Sequence, residues 1–139
     1  MLGHNAGCDF ITYDLWEHIF VGHISEGGKI TGYHHRVFGQ DRGPLKMIKK
    51  TKEGKNGVYK GEVNYIDSRG DVHKKADGST FFPDSWSPGT VKKEIITALY
   101  KALKKGNYNG KVVEKGIRGI KVEMRIKDGK IITAYPLLK

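Results

Sequence analysis

At 139 residues the chain is long enough to bury a core without covalent staples, and its single cysteine, Cys8, excludes both an intramolecular disulfide and a cysteine-based zinc site. Seven Tyr, five Phe and two Trp are more aromatics than a disordered chain of this size carries. Lys and Arg outnumber Asp and Glu by 25 to 15, and the net charge of +10 points to a polyanion, with an anionic surface or an acidic protein as the other partners such a charge suits.

The residues at positions 1–7 (MLGHNAG) are small and are predicted to fray. Over 8–20 the apolar positions Phe10, Ile11, Leu15, Trp16 and Ile19 share one helical face, and Gly22 is the stop, so His18 falls in the last turn. Gly27-Gly28 reverses the chain, and 29–37 reads as extended. The Gly- and Lys-rich stretch 39–56 reads as a long basic loop, either a guide for a polyanion or a face for an acidic partner. Alternation predicts a strand over 58–66, and Asp67 to Gly70 is a turn into a partner strand over 71–75.

Ser87-Pro88 is an N-cap followed by Pro at the first helical position, and Val91, Ile95, Ala98, Leu99, Ala102 and Leu103 recur at helical spacing until Gly106. This predicts a helix over about 88–105. Ile120, Val122, Met124 and Ile126 then alternate with charged residues, and Asp128-Gly129 turns them into a second strand over 130–135. Helices early and strands late predict an α+β fold with antiparallel sheet: an N-terminal helix, one long helix and a C-terminal β-hairpin, in a single domain over 1–139. No apolar run approaches the ~20 residues of a membrane span. The N-terminus also lacks the charged-then-apolar form of a signal peptide, so no membrane insertion by this domain is expected.

Six histidines are present, and those at the two ends of HIFVGHISEGGKITGYHH (18–35) are the candidates for chemistry. Imidazole exchanges a proton near neutrality, and two brought to one point can act as acid and base on one substrate. The chain reads His18-Ile-Phe-Val-Gly22, then Gly32-Tyr33-His34, then STFFPDSW (79–86) ahead of the long helix, then KDGKIITAYPLL with Thr133, Tyr135 and Pro136. Taken together in this order over about 18–138, these motifs resemble the EndoU-type endoribonucleases, in particular the bacterial toxin versions at the ends of contact-dependent inhibition and related polymorphic toxin proteins. The fold the resemblance implies is the ribonuclease fold shared by barnase, EndoU, colicin and RelE-type toxins.

What the resemblance implies is RNA cleavage by the RNA's own 2′-hydroxyl, without metal or other cofactor, leaving 2′,3′-cyclic phosphate and 5′-hydroxyl ends. His18 is implied as general acid and His34 as general base. His35 is adjacent to His34 and on a strand would face the other way, so one of the two enters the site; His34 holds the Gly-x-His position, His35 is the fallback and a candidate substrate contact, and His23 is a competitor the pattern does not require. For the catalytic lysine both Lys74 and Lys75 fit, again on opposite faces, with Lys75 preferred. Ser79 and Thr80 read as hydrogen bonders lining the site rather than nucleophiles, and the resemblance implies as substrate contacts Thr133 and Tyr135. Hairpin geometry argues against the last two: a two-residue turn at Asp128-Gly129 sets Thr133 opposite Met124 and Tyr135 opposite Val122, on the apolar face, unless a bulge intervenes.

Phe81, Phe82 and Trp86 read as core anchors rather than a stacking platform. The implied partners are RNA, often tRNA in toxins of this kind, and a cognate immunity protein, acidic given the +10 charge. The implied setting is the C-terminal part of a larger effector acting in the target-cell cytoplasm, with Met1 a boundary inside it. Two other classes use the same residues: a metal-dependent nuclease with His34 and His35 as ligands, and a non-catalytic basic RNA-binding module.

Overall fold

A computed structural model describes residues 9–139; the expected fraying of 1–7 lies outside them. The first element is α1 (Tyr13–Phe20), capped by Thr12, whose hydroxyl accepts from the Leu15 N–H. Ile11 and Thr12 are not helical, so the helix expected over 8–20 is interrupted before its N-cap. At its C-terminus Gly22 takes φ +89°, the left-handed conformation that lets the chain leave the helix. A two-residue ladder follows, β1 (His23–Ile24) with β2 (Ile30–Thr31).

The basic stretch expected to be a loop is largely a strand, β3 (Leu45–Glu53), paired antiparallel with β4 (Tyr59–Ile66). Alternation fails as a signal there because β3 is an edge strand that buries Leu45 alone. β5 (Val72–Lys74) and β6 (Ser79–Phe81) both pair with β4, completing a four-stranded sheet. The long helix α2 (Pro88–Lys104) runs as predicted, with the Ser87 hydroxyl accepting from the Thr90 N–H. The last sheet is β7 (Gly110–Lys115), β8 (Lys121–Lys127) and β9 (Lys130–Pro136). β6 and β7 are strands that sequence patterning did not predict, and strands therefore lie on both sides of α2 rather than clustering late. The α+β, antiparallel architecture stands.

Two apolar clusters hold these parts. The larger joins α1, α2 and β7–β9 through Leu15, Ile19, Ile95, Leu99, Val122 and Met124, with Phe82 fully buried in it. The smaller lies on the four-stranded sheet, where Tyr33, Leu45, Tyr59, Val63 and Phe81 pack. Phe81 and Phe82 are thus core anchors, with Trp86 stacked on Phe82. Glu94, a fully buried residue of α2, accepts from the backbone N–H groups of Arg118 and Ile120 and ties the β7–β8 turn to the helix. Among the described residues no helix is long and apolar enough to cross a membrane.

Candidate active site

The site begins with the packing of one backbone segment against another. After β2 the chain runs along the end of α1, and the N–H groups of Tyr33 and His34 donate to the carbonyls of His18 and Ile19 at 2.8 and 2.7 Å. Gly32 makes this approach possible: its φ is +81°, and a Cβ there would collide with the His18 carbonyl. Two histidines sixteen positions apart are thereby locked together, with ring centroids 5.6 Å apart.

The ring of His34 enters the cleft; its Nδ1–H donates to the Thr80 carbonyl at 2.8 Å, which leaves the Nε2 lone pair free. Burial, reinforced by the charge of Lys75, holds its pKa well below the ordinary histidine value. His35 faces the opposite way, buried edge-on to Phe20 and outside the cleft. Nε2 of His18 is 2.7 Å from the Thr133 hydroxyl, and burial, Lys75 and His23 together pull its pKa down to about 4.

The two lysines also part. Lys74 is exposed and pairs with Glu62 at 3.5 Å, whereas Lys75 turns inward and donates to the Gly78 carbonyl and the Ser79 hydroxyl at 2.8 and 2.7 Å. Burial lowers Lys75 to about 8, so it still carries its proton at neutrality. Ser79 is itself buried and donates to the Gly32 carbonyl at 3.1 Å, linking the lysine to the glycine that joins the two histidine segments.

Thr133 and Tyr135 correct the hairpin argument. A bulge beside Arg125 and Ile126 inserts one residue into β9, so Thr133 stands opposite Arg125 and Tyr135 opposite Glu123, while Ala134 takes the buried place opposite Met124. Both side chains are thereby aimed into the cleft. The Tyr135 ring lies 5.5 Å from His34, centroid to centroid, and its hydroxyl donates to Glu123.

These residues line a cavity of about 660 Å³ that also receives Lys29, Lys60 and Arg125. Local sequence carries no mark distinguishing those three from the other basic residues; Arg125 becomes the ladder partner of Thr133 only through the bulge. None of the β3 lysines borders this cavity. Among the described residues, no three His, Cys, Asp or Glu side chains gather to hold a metal ion. His34 and His35, the ligand pair the metal reading needed, point apart.

Comparison with known proteins agrees with the motif reading. Residues 12–138 match the family described as bacterial EndoU nuclease. This chain belongs to that family. A Bacillus cereus protein named Toxin is 35% identical over 127 residues, covering 86% of this chain and 22% of the relative, so the chain spans about a fifth of that protein. Among solved structures, the endoribonuclease Nsp15 encoded by Middle East respiratory syndrome coronavirus aligns with 88% of this chain and 33% of its own, at 16% identity and a TM-score of 0.48. In this EndoU domain the cleft brings together two imidazoles, a charged ammonium and the hydroxyls of Ser79, Thr133 and Tyr135. That set can move protons and hold an anion without further chemistry.

Proposed function

We propose that this EndoU domain is a metal-independent endoribonuclease in which the 2′-oxygen of a ribose displaces the 5′-oxygen of the next nucleotide. His34 is the general base: its free Nε2 takes the 2′-hydroxyl proton, and its lowered pKa keeps it unprotonated at neutral pH. The O2′–P bond forms as the P–O5′ bond breaks, and His18 delivers a proton to O5′. A free His18 with a pKa of about 4 is mostly neutral, and the anionic phosphodiester, once bound, raises it towards the protonated form the acid role requires. Lys75 holds the charge that builds on the phosphoryl oxygens, and Ser79 fixes its direction. Thr133 orients the His18 ring, and the face of Tyr135 receives ribose or base.

The observation that carries this reading is the pairing of His18 and His34, 5.6 Å apart, with a half-buried lysine whose charge reaches both. The likeness to the Bacillus cereus Toxin supports a domain delivered as part of a larger effector into the cytoplasm of a target cell. There it cleaves RNA, with tRNA the substrate to try first. The +10 charge suits an acidic immunity protein that covers the cleft before delivery.

The test is cleavage of total RNA in excess EDTA by the wild type, His18→Ala and His34→Ala, with end-group analysis of the fragments. Discrete cuts with cyclic phosphate ends, reduced about 10³-fold or more in each variant, are expected. Cleavage that requires an added divalent metal, or that survives both substitutions, overturns the assignment.

A further inference from the structure

His18 borders two cavities. One is the cleft holding His34 and Lys75; the other, about 550 Å³, is bounded also by Tyr13, Glu17, His23, Lys130 and Ile132. Besides His18 the two share Thr31. In an in-line displacement the attacking and departing oxygens sit on opposite sides of phosphorus. The base, His34, marks the side of attack, and the acid, His18, marks the side of departure. Whatever is attached to the departing oxygen therefore lies on the His18 side, and the second cavity, which His18 also borders, is the space available to it.

The lining says what that group is. Tyr13 presents a ring that is 75% exposed, and Ile132 an apolar side chain that is 53% exposed. Together they are stacking surface for a flat heterocycle. The Tyr13 hydroxyl donates to Oε1 of Glu17 at 3.1 Å, one helical turn on, which orients the ring and leaves the other carboxylate oxygen free. Asp14 borders the same cavity, and ionised carboxylates only accept hydrogen bonds. They repel a second phosphate from their surroundings, so the group they face is a base, and the following phosphate falls to Lys130, which also borders the cavity. Cytosine, adenine and guanine offer an exocyclic amine to such acceptors, whereas uracil offers N3–H alone between two carbonyl oxygens.

Resting on the assignment of His18 as the general acid, we propose that this second cavity binds the nucleoside 3′ to the cut and selects a base carrying an exocyclic amine over uracil. Glu17 is the specificity-determining residue.

The experiment uses four dinucleotides that share the 5′ nucleoside cut fastest and differ in the 3′ base. A fifth substrate, the 3′-(4-nitrophenyl phosphate) of that same 5′ nucleoside, has no departing nucleoside. Wild type is expected to show kcat/KM about tenfold higher for the amine-bearing bases than for uracil. In Glu17→Gln, whose amide can donate to uracil, the ratio is expected to fall to about twofold or less. Glu17 is exposed, so the substitution spares the fold, and circular dichroism verifies this. Equal rates for all four dinucleotides with the aryl ester still cleaved, or a preference that survives Glu17→Gln, overturns this inference alone. Failure to cleave the aryl ester and the dinucleotides alike overturns the assignment of the site, and this inference with it.

Discussion

The two larger sheets are both antiparallel, yet they hold their shape by different means. β8 and β9 bury Val122, Met124, Ile126, Ile131 and Ala134 in the cluster that includes α1 and α2, and packing fixes where their side chains point. β3 buries Leu45 alone, exposes Lys49, Lys50 and Lys52, and carries two register irregularities along the sheet edge. The apolar sheet supplies Thr133 and Tyr135 and packs against α1, which carries His18. The polar sheet supplies Lys75, Ser79 and the Thr80 carbonyl that holds His34. The proposed catalytic positions are therefore set by packing on one wall of the cleft and by hydrogen bonds on the other.

Substitutions on the hydrogen-bonded wall break this comparison most strongly. Lys75→Ala is expected to lower kcat by about 10²–10³-fold, because the charge facing the phosphoryl oxygens is lost. Lys74→Ala, which removes an exposed pair with Glu62 at the border of the cleft, is expected to change kcat by less than about threefold. Single-turnover cleavage of one RNA by the two variants measures the contrast, and equal losses would contradict it.

On the packed side, Glu94→Ala leaves the buried Ile120 N–H and the part-buried Arg118 N–H without their acceptor, at an expected cost of about 2–4 kcal/mol. Urea unfolding reads this, and Glu94→Gln, which keeps an amide oxygen, is expected to recover part of it.

The histidines make stability depend on pH on both walls. His18, His34 and His35 all have folded pKa values below the ordinary 6.5, chiefly through burial. Below that value the unfolded chain binds protons that the folded chain refuses. Stability is therefore fully present above pH 6.5 and falls as the pH drops through the window towards about 4, where His18 also protonates. A urea midpoint that stays constant from pH 7.5 to 5 would contradict this. The smallest effect is expected at the edge strand. Neutralising Lys49, Lys50 and Lys52 together should lower kcat/KM by less than about threefold at physiological ionic strength, where the Debye length is about 8 Å. Lys60→Ser, inside the cleft, should cost more.

How much was legible follows the same division. The helix over 88–105 was read almost to the residue, because its apolar stripe, its Ser87 cap and Pro88 all state the same structure. β3 was missed because an edge strand shows its lysines to water on both faces and loses the alternation that marks a half-buried strand. β7 was missed for a related reason, since it buries Val112 alone. The hairpin turn at Asp128-Gly129 was read correctly, yet the expected facing of Thr133 and Tyr135 was inverted, because one bulged residue reverses every side chain beyond it.

By itself the sequence determined the family, the chemical types at the site and the fact that one of each adjacent pair, His34 or His35 and Lys74 or Lys75, must face inward. Those are statements about composition, order and the period of a strand, which need no third dimension. Tertiary structure alone decided that His34 and Lys75 are the members that turn inward, how Gly32 locks His34 to His18, and that His18 borders a second cavity. These depend on contacts between segments far apart in the chain, and a local pattern holds no information about the distance between them.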